Sequence, residues 1–191
     1  TLLLAGVAMN FFFSSLILFT QYTASLGDSY RIVRWLMGGL GGVDMGTVLH
    51  MAPVVAVGGA VVIWHARELD LLATGSEIAA SRGVAVAPTR TLLFLATSVM
   101  VGGVVAACGP VGFVGMMAPH ICRLVVGANH RVLLPASVLC GGAFLVLCDT
   151  AARLVLFPAE LPVGVITAFL ASPFFLRLLV RQGGPPPRRT V

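Results

Sequence analysis

The charged side chains that could support chemistry are few, and one stretch concentrates them. Residues 66–88, ARELDLLATGSEIAASRGVAVAP, hold three of the seven acidic residues, Glu68, Asp70 and Glu77. Apolar runs of membrane length lie on both sides of this stretch. Because so short a segment cannot bury a core of its own, we expect it to lie against a membrane face and to contact another protein.

Glycines divide this stretch into two predicted short helices. Gly75 forms the elbow between them, and Gly83 suits the left-handed position that ends a helix. Either Thr74 or Ser76 could cap the second helix, since both carry a hydroxyl that can accept a backbone N–H.

A second charged group consists of Asp149 and Arg153, which are four residues apart on one predicted helix and therefore share a face. One interpretation is that the two side chains simply neutralise each other. The alternative is that Arg153, with or without Arg31 and Arg34, presents positive charge to an acidic partner outside the membrane.

Motifs for several kinds of enzyme are absent from the sequence. All twelve basic residues are arginines, so no P-loop can be present and any ATP-driven step requires a partner. The four histidines lack zinc-binding spacing, the four cysteines form no C-x-x-C pair, and no Gly-x-Ser-x-Gly occurs. We therefore expect a protein that is not an enzyme, without catalytic residues, metal or cofactor. The cysteines are interpreted as small buried apolar residues.

The composition predicts an all-α integral membrane protein. Hydrophobic residues make up 58% of the chain, charged residues 10%, and the mean hydropathy is +1.01. Because the arginines are scattered at the ends of apolar runs and form no stripe with aromatic residues, a nucleic-acid partner is not expected. We expect membrane lipid to surround the chain and to contact its apolar helices.

Apolar runs divide residues 1–182 into six predicted crossings, followed by a disordered basic tail over residues 183–191. The predicted crossings are residues 1–27, 45–65, 89–107, 111–126, 132–157 and 163–180. Residues 28–40 are predicted to form an interfacial helix. Residues 111–126 are either a short crossing or a re-entrant segment. Six crossings place nine arginines on one side and three on the other, which predicts that residues 66–88 and the C-terminus are cytoplasmic.

Several motifs occur in a fixed order along the chain and together resemble the FecCD-type permeases of ABC importers for iron-siderophores, haem and vitamin B12. They are Gly109-Pro110-Val111-Gly112-Phe113-Val114-Gly115, Pro119-His120, Arg123-Leu124, His130-Arg131-Val132-Leu133-Leu134-Pro135, Asp149 with Ala152-Arg153, and Glu160-Leu161-Pro162-Val163-Gly164. A central motif is similar to the Glu-Ala-Ala-x-x-x-Gly motif of ABC importers. It reads Glu77-Ile78-Ala79-x-x-x-Gly83 and differs from that motif in having isoleucine at the second position.

This resemblance implies the last six helices of a ten-helix permease, with the first four preceding Thr1. It implies three kinds of partner: a second permease copy, two ABC ATPase subunits, and an extracytoplasmic substrate-binding protein. The implied location is a bacterial inner membrane. The cargo implied is a metal chelate, with iron-siderophore favoured and haem and cobalamin left open.

Site residues follow from the resemblance position by position. The ATPase-coupling residues it implies are Leu71, Leu72, Thr74, Gly75, Ser76, Glu77, Arg82 and Gly83. The translocation path would include Met9, Asn10 and Ser14, and Arg153 would meet the binding protein.

Two alternatives remain from the residues themselves. A stand-alone secondary transporter or channel would use Asn10, His120 and Asp149 as an ion path, whereas a structural anchor for an enzyme complex would have no transport role.

Overall fold

Nine α-helices and no strand make up the part of the chain that the computed structural model describes, residues 2–155 and 161–182. The helices are α1 (Leu2–Thr23), α2 (Leu26–Leu36), α3 (Met45–Trp64), α4 (Ala66–Ala73), α5 (Ser76–Ser81), α6 (Val86–Cys108), α7 (Val114–Val126), α8 (His130–Val155) and α9 (Val163–Gln182). The predicted tail over residues 183–191 lies outside the described residues, as does Glu160.

Four of these helices, α1, α3, α6 and α8, are long and apolar enough to cross a membrane, and α7 and α9 contain shorter apolar helices. Large apolar side chains are exposed along α1, α3, α6 and α8, as expected where lipid or further helices replace water. The prediction of an all-α membrane protein is confirmed.

Helix α1 ends before the predicted boundary at residue 27, because α2 begins there with its own cap. The Ser25 hydroxyl oxygen accepts the backbone N–H of Asp28 at 3.3 Å. Helix α2 then follows α1 closely and contacts it. The predicted interfacial helix is therefore α2, about three turns of helix that start at Leu26 and end at Leu36.

Three glycines allow α2, α6 and the start of α9 to meet backbone to backbone. The N–H of Gly39 donates to the Cys108 carbonyl at 2.8 Å, and the N–H of Gly164 donates to the Gly38 carbonyl at 3.1 Å. Added Cβ atoms at Gly38, Gly109 and Gly164 would overlap the carbonyl oxygens of Pro110, Trp35 and Met37, respectively. We call Gly38, Gly109 and Gly164 the glycine junction.

The helices expose two opposite faces. The α2 face consists of α2, the ends of α6 and α8, and the start of α9, joined by the glycine junction and by the bond from Trp35 Nε1 to the Ala106 carbonyl. The α4 face consists of α4, α5 and the starts of α6 and α8.

Helix α7 runs between these two faces. It has 13 residues, about 20 Å, and follows the end of α6 on the α2 face, whereas α8 begins on the α4 face only three residues after α7 ends. Between the two alternatives for residues 111–126, the structure therefore favours a short crossing. Helix α7 packs most extensively on α8, which covers its proline-containing middle.

The cysteines are all free thiols, but burial differs among them. Cys122 and Cys148 are buried, as predicted, whereas Cys108 and Cys140 are half-buried. The prediction that all four are buried is wrong for these two. The thiols of Cys122 on α7 and Cys140 on α8 are close enough to interact, a proximity that their spacing in the sequence could not indicate.

Candidate coupling surface and docking cavity

Helices α4 and α5 form the predicted elbow. Gly75 has a φ of 127°, which a residue with a Cβ rarely adopts, and Gly83 has a φ of 84°. The N–H of Gly83 donates to the Ala80 carbonyl and the N–H of Val84 donates to the Ala79 carbonyl, each at 3.0 Å. Both glycines therefore act as predicted, one at the turn and one at the end of α5.

The predicted side-chain cap of α5 is wrong. The residue before α5 is Gly75, and neither neighbouring hydroxyl caps the helix. Thr74 Oγ1 instead donates to the Leu71 carbonyl at 2.7 Å, while Ser76 is the first residue of α5. Glu77 lies in the first turn, where a carboxylate interacts favourably with the helix dipole.

The elbow projects most of its predicted coupling residues outward. Thr74, Ser76, Glu77, Arg82 and Gly83 are exposed, whereas Leu71, Leu72 and Gly75 are half-buried. Ala66 and Ala79 are almost fully buried beneath them and attach the two short helices to the bundle. Ile78 adds an apolar side chain that is 48% exposed. The result is a small mixed surface of the kind that a protein partner contacts.

A carboxylate of α4 that was not among the predicted site residues joins the elbow to α8. Asp70 Oδ1 accepts the backbone N–H of His130 at 3.0 Å and its ring Nδ1 at 2.5 Å. Since a carboxylate only accepts, the Nδ1 nitrogen carries the proton. The hydrogen bond from the His130 backbone lowers the pKa of Asp70. Sixty residues separate the two, so no local pattern could have indicated the contact.

On the α2 face, Asp149 and Arg153 form the predicted ion pair. Arg153 Nε donates to Asp149 Oδ2 at 2.8 Å. The pair borders a cavity of ≈ 260 Å³ that is also lined by Arg31, Arg34 and Trp35. We call it the docking cavity, after the docking hypothesis. The structure therefore brings the three arginines of the docking hypothesis to one cavity and also forms the neutralising pair.

The predicted path residues lie apart from both of these regions. Ser14 Oγ donates to Asn10 Oδ1 at 3.3 Å on α1, and Met9 is 52% exposed. Asn10 borders an open cleft with Leu3, Gly6, Val7 and Phe11. Within the described residues α1 packs on α2 and on none of the long helices extensively, so these polar side chains face outward from the chain.

A family model, the FecCD transport family, matches residues 1–181. The match covers nearly the whole chain and includes the elbow, the glycine junction and the docking cavity. The chain belongs to the FecCD transport family.

Curated relatives of this family member include permease proteins of cobalamin import. The chain is 46% identical over 180 residues to the cobalamin import system permease protein BtuC of Halobacterium salinarum, covering 94% of this chain and 48% of the relative. It is 42% identical over 184 residues to the vitamin B12 import system permease protein BtuC of Salmonella typhi, covering 95% and 55%. The chain thus spans about half the length of the curated relatives it matches.

A solved structure has the same fold. It is described as an inward-facing conformation of a metal-chelate type ABC transporter, and it superposes with a TM-score of 0.86 at 31% identity over 93% of this chain and 58% of that chain. The predicted resemblance to an ABC permease is confirmed, and the fold is that of such a permease.

Proposed function

We propose that the chain is part of the membrane-spanning subunit of an ABC importer that carries a metal chelate across a bacterial inner membrane. Membership of the FecCD family supports this proposal most directly, together with the likeness to a metal-chelate type ABC transporter. ATP would be hydrolysed by two partner ATPase subunits, because this chain contains no lysine for a P-loop.

The elbow supports the role of ATPase contact. It is a compact surface outside the long helices, it exposes Glu77 and Ile78, and Ala79 holds it against the bundle. A partner that moves this surface would move helices α4 and α5 together, since Gly75 and Gly83 fix their ends. This surface is what the proposal requires for coupling ATP hydrolysis to rearrangement of the helices.

The α4 face is the proposed cytoplasmic face. Seven arginines of the described residues lie on it or in the adjoining helix turns, against three on the α2 face, which is the asymmetry expected from the positive-inside rule. The seven are Arg67, Arg82, Arg90, Arg123, Arg131, Arg177 and Arg181. The α2 face, with its arginine-lined cavity, would then receive the acidic surface of an extracytoplasmic binding protein.

The translocation path is proposed to form between this subunit and a second copy. Asn10 and Ser14 are polar, exposed and on one stripe of α1, a helix whose described contacts are almost confined to α2. Such residues in a membrane helix require a polar or aqueous neighbour, which an adjacent subunit lining a shared path would provide.

A corrinoid is the first cargo to test, because the curated relatives are named for cobalamin or vitamin B12. Iron-siderophore, favoured by the sequence analysis, and haem are the other two cargoes of the proposal. Cells that carry the full-length gene and its neighbours should accumulate one labelled chelate above cells that lack the gene. Uptake of none of the three would contradict the proposed cargo class.

The same assay separates the proposal from a secondary transporter or channel. Uptake that requires the neighbouring ATPase gene supports the importer. Uptake that continues when the ATPase is deleted favours the alternative in which Asn10, His120 and Asp149 form an ion path.

A further inference from the structure

Asp70, a residue of α4, caps the N-terminus of a different helix, α8. His130 is the first residue of α8, and its backbone N–H is among those that a helix cannot satisfy internally. The carboxylate of Asp70, on α4, accepts this N–H at 3.0 Å and the ring N–H of the same residue at 2.5 Å. These two hydrogen bonds between α4 and α8 therefore end on one oxygen.

The electrostatic surroundings favour this contact. The N-terminus of a helix carries partial positive charge, and Arg131 lies close enough to contribute favourably to the ionised carboxylate. The side chains of His130 and Asp70 are 17% and 36% exposed, so water screens the contact less than it screens a surface ion pair. Charge-assisted hydrogen bonds of this kind are the stronger ones in proteins.

Helix α8 leads from this contact to the docking cavity. It has 26 residues, about 39 Å, and its other end carries the Asp149–Arg153 pair. The elbow is covalently continuous with α3 through His65, whereas its attachment to α8 depends on packing and on Asp70. A displacement of α4 thus reaches α8 at the point where Asp70 holds it.

We propose that Asp70 is a positioning residue that transmits movement of the elbow to α8, and so connects the ATPase side of the protein with the binding-protein side. This inference rests on the proposed function. Asp70 contacts neither cargo nor nucleotide in this role. It keeps α4 and the N-terminus of α8 moving together.

The test uses the full-length permease reconstituted in proteoliposomes with its ATPases and binding protein. Asp70→Asn should leave the ATPases bound but should reduce the stimulation of ATP hydrolysis by cargo-loaded binding protein about tenfold, within the usual range of coupling between sites. Glu68→Gln is the matched control, because it makes the same exchange two residues away on α4, where one carboxylate oxygen is buried without a hydrogen bond. It should behave like the unchanged protein.

A graded series separates positioning from general damage. His130→Ala removes the ring N–H but keeps the backbone N–H, so its loss of stimulation should lie between those of Glu68→Gln and Asp70→Asn. Asp70→Glu keeps the carboxylate and should restore part of the stimulation. Equal stimulation in Asp70→Asn and Glu68→Gln would overturn the proposal.

If Asp70→Asn does not fold, a reversible crosslink between α4 and α8 tests the same role of Asp70. In a permease without other cysteines, Asp70→Cys with His130→Cys can be oxidised by copper phenanthroline and reduced by dithiothreitol. Stimulation should be retained when the disulfide is present and lost when it is reduced. Stimulation that is the same in both states would contradict the proposal. Failure of the unchanged permease to bind or stimulate ATPases would instead contradict the proposed function itself.

Discussion

At the scale of single residues, the geometry of the Asp149–Arg153 pair is compatible with both roles that the sequence presented as alternatives. The pair is formed, with 2.8 Å between Arg153 Nε and Asp149 Oδ2, yet the arginine side chain remains 50% exposed beside the cavity. Neutralisation by Asp149 holds the arginine in place, and its exposed edge stays accessible to an acidic partner.

Reversing this charge should weaken docking of the binding protein. Arg153→Glu places two carboxylates four residues apart at the cavity and should lower the association constant about tenfold, about 1.4 kcal/mol, measured by surface plasmon resonance at low salt. The difference from the unchanged protein should shrink as salt is added. Arg90→Glu, on the opposite face, is the control and should leave the association constant unchanged; an equal effect of both variants would contradict docking at Arg153.

Sequence reasoning found this pair because a helix brings residues four apart to one face. The same reasoning could not find the Asp70–His130 contact, which joins two helices across sixty residues. Nor could it show that Arg31 and Arg34 share a cavity with Arg153, because that depends on how α2 packs beside the ends of α6 and α8 and the start of α9.

At the scale of elements, the elbow was predictable and the glycine junction was not. Gly75 and Gly83 have positive φ angles, a local property that glycine at a helix boundary indicates directly. Gly38 and Gly109 also have positive φ angles, but what makes the junction is the close approach of three separate backbones, which depends on the whole fold.

Alanine in the glycine junction should destabilise the protein. Gly109→Ala or Gly164→Ala places a methyl group against a backbone carbonyl and should lower the free energy of unfolding by about 1–3 kcal/mol. Gly102→Ala, on α6 with no atom near the added methyl group, should be neutral or slightly stabilising. Thermal denaturation of the purified permease in detergent measures the difference, and equal midpoints for Gly109→Ala and Gly102→Ala would refute the close approach.

Changes in the elbow should disrupt the contact with the ATPases. Gly83→Pro removes an N–H that bonds to Ala80 and cannot adopt a φ of 84°, so the end of α5 should be lost. Copurification of ATPase subunits with the permease should fall at least about fivefold while the amount of inserted permease stays the same. Gly59→Ala, on α3 with no atom near the added methyl group, is the control and should retain the ATPases.

At the scale of the whole molecule, the described residues form a helix bundle with two opposite faces, and α8 extends from one face to the other. Because α7 runs between the faces, the structure favours a short crossing over a re-entrant segment for this proline-containing helix. Apolar run lengths could predict the long apolar helices, whereas assigning each helix end to a face required the contacts at Asp70 and at the glycine junction.

The orientation of the faces can be measured by labelling. In a background without native cysteines, Glu77→Cys should react with a membrane-impermeant maleimide only after the inner membrane is opened, because the elbow is proposed to be cytoplasmic. Asp28→Cys, on the α2 face, should react in spheroplasts whose inner membrane is intact. Labelling of Glu77→Cys in intact spheroplasts would reverse the proposed orientation.

The proposed function requires that the elbow receive the force of ATP hydrolysis from a partner. Its most direct test is ATP-driven uptake of labelled chelate into proteoliposomes by the complete complex carrying Glu77→Arg, with ATP hydrolysis recorded in the same vesicles. We expect the number of chelates moved per ATP hydrolysed to fall at least about tenfold while the permease remains inserted. An unchanged ratio, or uptake of chelate by the unchanged permease without any ATPase subunit, would contradict the account.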